Sequence, residues 1–390
     1  MRFLILIVIG LFTIELNAVK QMIQRYITQD SEVSFQYDSR LNYYQLTDNQ
    51  WQQYSRFQFD IWFPNLESYL DISPVFQSIH VFDHLNDSTS AQSRLTEAYI
   101  QILYDWGAIN IGEKRLVFQK STFIGSNEFS NLPQTFGHIG ITTNDQTFSF
   151  AYVTSYTPSN SIHSTQYKYG SIFTDFSLPV FHSMEPRVSA YFIENHGDTF
   201  SLNLSIQSGL FQSLSTSISY QDAPLISTNS ELQPCSYFYD LIYSIQSPLN
   251  EFQIGLRTFG GPLRSSSTGF AAPFSDIFLW DGILSTYGDN VLNGFDSGQR
   301  IYFASFSSRL SDHRQVGVSA YLFRSLDFAD NQGAEIDLVY SDNIVANLAS
   351  YQYIAGYFFK GTDTTTNNID SEFRMWLDVS LHLGQPPEKK

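Results

Sequence analysis

Residues 95 to 141 read LTEAYIQILYDWGAINIGEKRLVFQKSTFIGSNEFSNLPQTFGHIGI. Ala98, Ile100, Ile102 and Tyr104 alternate with Glu97, Tyr99 and Gln101, the period of a strand with two different faces. The run turns at Asp105-Trp106-Gly107 and a second begins at Ile109, so the stretch predicts a tight β-hairpin. A polar connection rich in Ser, Asn and Phe follows Phe118, and Gln134-Thr135-Phe136-Gly137-His138 leads into another strand. Neither face carries an enzyme motif.

Composition says where such strands belong. Aromatic residues make up 16% of the chain, with 34 Phe and 24 Tyr, whereas charged residues reach only 15%, against about 25% in soluble domains. That is too little charge to cover a water-facing surface. Yet no long apolar run follows residue 18, which excludes helical membrane spans. A transmembrane barrel reconciles the two facts, because each strand shows lipid only its alternate residues.

Alternation places about 18 strands (16 to 18), near 35–44, 56–63, 69–82, 95–105, 108–118, 138–143, 147–156, 168–178, 186–195, 199–208, 213–221, 236–246, 250–259, 299–309, 313–324, 333–341, 345–355 and 372–383. The connections decide between a barrel and a soluble sandwich. Longer gaps such as 119–137, 222–235 and 260–298 alternate with short ones such as 106–107, 144–146, 247–249 and 310–312, the order of outer loops and periplasmic turns. The gap at 196–198 is the exception, being short on the outer side. The fold class expected is an all-β transmembrane antiparallel β-barrel over 35–384, porin-like, in the bacterial outer membrane.

Arg2, the apolar run from Phe3 to Phe12 and Leu16-Asn17-Ala18 predict a signal peptide over 1–18. Residues 19–34 read as a short N-terminal periplasmic segment. Pro386 and Pro387 end the last ladder, leaving 385–390 as a periplasmic tail. The single Cys235 allows no intrachain disulfide and no thiolate metal site. A net charge of −17 argues against nucleic acid as a partner.

The eight histidines are scattered over separate segments, and no metal-helix pair, P-loop or nucleophile-elbow pattern occurs. No cofactor is expected. Charged residues on the polar faces point to a hydrated lumen instead, since Arg or Lys against lipid costs ~2–4 kcal/mol at the midplane. The candidates read from these faces are Arg56, Asp60, Glu97, Glu194, Arg257, Glu335, Asp337, Arg374 and Asp378. As a group they would set ion preference.

The order of parts resembles the alginate export family of bacterial outer-membrane barrels. Glu97-Ala98-Tyr99 stands for the family's EAY strand, Gly112-Glu113-Lys114 for its GRQ, and Gly125 for its loop glycine. Gln134-Thr135-Phe136-Gly137 stands for its RTFDG. A second block, FAAPFSDIFLWDGILSTYGDNVLNGF from Phe270, supplies Pro273, Trp280, Gly282 and Gly294, but Phe278, Ser285 and Thr286 replace the family's His, Asp and Lys. With a matching C-terminal strand run, the resemblance covers most of the chain loosely.

The resemblance implies a passive channel narrowed by a constriction that is arginine-rich in the family. Here Glu113 and Gln134 take the places of arginines, with Lys114 and Arg115 adjacent. Glu113, Lys114 and Arg115 therefore join the pore-lining candidates. The expected protein is a monomeric channel of the alginate-export-like type for hydrophilic solutes or polysaccharide. Outer-membrane lipid surrounds it, and the barrel-assembly machinery inserts it. The alternatives are a dedicated exporter of an anionic, alginate-like exopolysaccharide and a barrel-borne hydrolase.

Overall fold

A computed structural model describes residues 32–44, 50–63, 69–82, 89–118, 124–125, 134–158, 164–180, 183–194, 197–221, 236–260, 299–325, 331–345, 349–361 and 371–383. The readings of a signal peptide, of the block from Phe270 and of the tail lie outside the described residues, as does the N-terminal segment read over 19–34 except for residues 32–34, which belong to the first strand instead.

The described strands are β1 Glu32–Tyr44, β2 Gln50–Phe63, β3 Tyr69–Phe82, β4 Thr89–Tyr104, β5 Gly107–Lys114, β6 Thr135–Thr143, β7 Phe148–Thr157, β8 Thr165–Ser177 and β9 Met184–Ile193. They continue as β10 Gly197–Gln207, β11 Gln212–Gln221, β12 Ser236–Gln246, β13 Asn250–Gly260, β14 Gln299–Ser311, β15 Arg314–Ser325, β16 Asn331–Val345, β17 Ala349–Lys360 and β18 Glu372–Leu383. Each pairs antiparallel with its sequence neighbours. β1 pairs with β2 on one side and with β18 on the other, Phe35 standing opposite Leu383. The ladder thus returns to its start, which leaves no sheet edge to template aggregation.

The two faces carry the reverse of a soluble pattern. On β16, Glu335 and Asp337 are each 1% exposed while Ile336 and Leu338 are 47% and 40% exposed. On β11, Ser219 is 1% exposed and Ile218 61%. Asp and Glu are almost never fully buried in a water-soluble protein unless paired. An apolar exterior around a polar interior is stable only where the outer medium is hydrocarbon. Tyr104 and Trp106, stacked at 5.4 Å beside the β4–β5 turn, are both exposed, in the manner of an aromatic interface belt.

The hairpin expected from the sequence is present, with Tyr104 opposite Gly107. Its second strand stops at Lys114, not Phe118. Within it, Gly112 keeps its place in both ladders, opposite Tyr99 and His138. Its φ is +127°, and a Cβ there would lie 2.4 Å from the Ala98 carbonyl oxygen, a conformation open essentially to glycine. β4 begins earlier than expected, at Thr89, and β6 at Thr135. The short outer connection between β9 and β10 is real, with Ile193 paired to Gly197.

Candidate functional site

Because inward residues recur every second position, the lumen is built in layers. Phe136, Tyr191, Phe238, Phe259, Ile301, Phe323 and Phe358 all lie near the outer ends of their strands and are fully buried. With Phe173, Val153 and Ile354 they form one apolar cluster that also takes in Phe118 and Ile124. Those last two belong to the β5–β6 connection, which therefore enters the barrel. Phe118 N–H donates to the Ile124 carbonyl at 2.9 Å. The Phe118 ring meets Phe173 edge-on at 6.1 Å and Tyr191 at 6.4 Å, a geometry favoured by the ring quadrupoles.

The start of this connection is anchored on β4 and β5. Arg115 Nε donates to Glu97 Oε1 at 2.7 Å. Lys114 Nζ lies 4.2 Å from the centre of the Tyr99 ring and donates to Asn110 Oδ1 at 3.4 Å. At the far end, Gln134 Nε2 donates to the Gly125 carbonyl.

Below the apolar layer comes a polar one. Asn203, Ser217, Asp240 and Arg257 form a single row of cross-strand partners over β10 to β13. The Arg257 guanidinium sits 4.4 Å from the centre of the Phe303 ring. Under Phe118 a cavity of about 1430 Å³ extends along β5 to β13 as far as the short turns. On its wall Arg187 binds Asp175 at 3.1 Å and Ser177 at 2.9 Å, and Ser189 donates to Asp175 at 2.9 Å. Arg314 and Asp342 pair at 3.2 Å near the β14–β15 turn.

The residues singled out from sequence fall in different places. Glu97, Arg257, Glu335 and Asp337 are buried, and Lys114 and Arg115 line the cavity. Glu113 stands opposite Ala98, whose side chain is exposed, and accepts from Thr135 Oγ1 at 2.6 Å and Thr157 Oγ1 at 3.0 Å. It is not among the residues lining the cavity. Glu194 sits at the outer end of β9, where its oxygens accept from the backbone N–H groups of Lys168 and Tyr169 at 3.1 and 2.7 Å. Asp378 is half-buried on β18, opposite Arg40 and Gln352. Arg56 and Asp60 lie on β2 and Arg374 on β18; their side chains lie outside the described residues.

Sequence reasoning missed Asp175, Arg187, His138 and Asp240. His138 lines the cavity, and its Nδ1 donates to the Phe136 carbonyl at 3.0 Å, so that nitrogen is committed to the backbone. Among the described residues no group of three His, Cys, Asp or Glu side chains comes together to hold a metal ion.

No family model matches the chain. No curated relative matches it either. Solved structures do. The chain is similar to Acinetobacter baumannii OccAB2 with TM-score 0.68 at 9% identity, covering 92% of this chain and 99% of that one. It is similar to Pseudomonas aeruginosa OccK5 (OpdH) with TM-score 0.66 at 8% identity, over 92% and 99%. Pseudomonas aeruginosa OccK2 (OpdF), in complex with glucuronate, gives TM-score 0.66 at 11% identity, over 92% and 99%.

These are Occ proteins, a group that includes the outer membrane protein OpdK (OccK1), and they correct the resemblance to the alginate export family. Two glycines that carried that resemblance have local causes. A Cβ on Gly112 would lie 2.4 Å from the Ala98 carbonyl oxygen, and one on Gly137 would lie 2.2 Å from Ser155 Oγ. Short strand-end signatures of this kind report backbone crowding in a barrel as readily as ancestry. At these identities the comparison establishes a fold, and the fold is that of an outer-membrane porin barrel.

Proposed function

We propose that this chain is a monomeric outer-membrane channel through which hydrophilic solutes diffuse passively, with no covalent chemistry. One observation carries the reading: an apolar outer face surrounds a polar interior that holds a cavity of about 1430 Å³ reaching the short turns. Residues 1–18 would direct export and the barrel-assembly machinery would insert the strands. Carboxylates outnumber cations along the cavity by one, five against Lys114, Arg115, Arg187 and Arg257. Side-chain charge lining a pore sets local ion concentration, so the channel favours cations modestly.

The similar OpdK and OccK2 structures were determined with vanillate and glucuronate, both carboxylates. In this chain Arg115 and Arg187 are each engaged by a carboxylate, which leaves less positive charge to hold an anionic solute. The test is a planar bilayer. Purified protein that is heat-modifiable and β-rich should give stepwise KCl conductance, with a reversal potential of cation sign under a salt gradient. Folded protein that never conducts would overturn the channel.

A further inference from the structure

Resting on the channel reading, we infer that the β10–β12 wall of the lumen is a binding row for uncharged, hydroxyl-bearing solutes, the class of sugars and polyols. The row is made by register. Asn203 faces Ser217 across β10–β11, and Ser217 faces Asp240 across β11–β12. All three line the same cavity. Ser217 Oγ donates to Asn203 Oδ1, which fixes the amide, and Thr216 Oγ1 donates to the Asp240 backbone carbonyl at 2.8 Å.

Two atoms of this row are left over. Asp240 is only 7% exposed, and although Ser217 and Arg257 neighbour its carboxylate, Oδ1 meets no hydrogen-bonding partner among the described residues. Asn203 Nδ2 is likewise buried without one. The first is an acceptor and the second a donor. An ammonium group can serve only the acceptor, and a carboxylate only the donor. A hydroxyl donates and accepts, so a solute with several hydroxyls satisfies both at once.

The wall continues in the same chemistry. Ser205 faces Ser215 and Gln207 faces Ser213, all on the cavity, so neutral hydrogen-bonding rungs lead from the row to the short-turn end. Above it, Ser219 Oγ donates to Ser201 Oγ at 2.8 Å and Gln221 Nε2 to Thr199 Oγ1 at 2.9 Å. The apolar layer is therefore interrupted on these two strands. The cavity exceeds the ~300–1,000 Å³ of an ordinary ligand pocket, which leaves room for a monosaccharide together with its remaining water.

The experiment uses three probes of nearly equal size in proteoliposomes: radiolabelled glucose, gluconate and glucosamine. Once the K⁺ and Cl⁻ permeabilities measured under a KCl gradient have been used to remove the charge contribution, glucose should enter faster than both. Asn203→Leu should slow glucose entry about fivefold at unchanged KCl conductance, what one neutral hydrogen bond contributes, and Asn203→Ser should recover part of the loss. Equal corrected entry of the three probes, or either charged probe fastest, overturns the inference while KCl conductance keeps the channel standing. Heat-modifiable protein with neither conductance nor entry overturns both.

Discussion

The Glu97 carboxylate on β4 and the Arg115 guanidinium just beyond β5 meet at 2.7 Å, and Glu97 is almost wholly withdrawn from solvent at 4% side-chain exposure against 25% for Arg115. This pair sets the direction in which the chain leaves the barrel wall. Three residues later Phe118 is packed against Phe173 and Tyr191 on strands β8 and β9, which it reaches only by crossing inside the barrel.

Cutting that tether should loosen the connection and spare the sheet. Glu97→Leu removes a charge-assisted hydrogen bond of about 1.5–3 kcal/mol and leaves Arg115 facing an apolar group. The expected outcome is added low-frequency current noise, as Phe118 leaves its ring contacts, with far-UV circular dichroism as in wild type. A quiet current trace would show that the aromatic contacts alone hold the connection.

Gly112 should tolerate nothing larger. Its φ of +127° and the 2.4 Å approach of a Cβ to the Ala98 carbonyl mean that Gly112→Ala must either strain the backbone or shift the β4–β5 ladder. Holding such a conformation costs of order 1–3 kcal/mol. The heat-modifiability midpoint should fall, and by more than for Gly317→Ala, where an added Cβ would meet only ordinary contacts at 3.8 Å and beyond. Equal midpoints would mean that the β4–β5 ladder takes up the added methyl without strain.

The outer and inner faces should respond in opposite ways to charge. Ile336 is 47% exposed between Glu335 and Asp337, each 1% exposed. Ile336→Arg places a cation against hydrocarbon at ~2–4 kcal/mol near the midplane, whereas Ile336→Phe keeps the face apolar. Folding into lipid vesicles, followed by gel mobility, should fail or slow for the first and proceed for the second. Equal folding of the two would place Ile336 away from lipid.

Much of this barrel was legible because strands that alternate cleanly, such as β10 with Phe200 and Leu202 outward and Ser201 inward, state their own faces. The apolar layer was not, since it breaks the equation of apolar with outward. On β12, Phe238 and Asp240 share the inward face, and from the sequence alone that phenylalanine reads as a residue for lipid. Asp175 escaped notice for the same reason, two positions from the inward Phe173. Glu97 and Arg115 were both visible as charges, but Arg115 lies just beyond the end of β5, where the ladder has stopped and periodicity no longer places a side chain. Glu113 follows the unbroken alternation of β5, on the face of the exposed Ile111 and opposite the exposed Ala98.

That last placement gives the sharpest comparison of two charged residues. Glu113 is bound by Thr135 and Thr157 and lies off the cavity, whereas Arg187 lines it and compensates Asp175, 6% exposed in its side chain, at 3.1 Å. Removing a cation from the wall leaves the carboxylate's field uncompensated in a confined path, which raises local cation concentration. Arg187→Gln should therefore move the reversal potential toward the cation value. Glu113→Gln, a change of the same size and opposite sign, should leave it where it was, apart from the screened long-range field. The measurement is reversal potential across a bilayer under a KCl gradient at two ionic strengths. If Glu113→Gln shifts selectivity as far as Arg187→Gln does, the conducting path runs past Glu113 and the hydrogen bonds to Thr135 and Thr157 do not keep its carboxylate out of it.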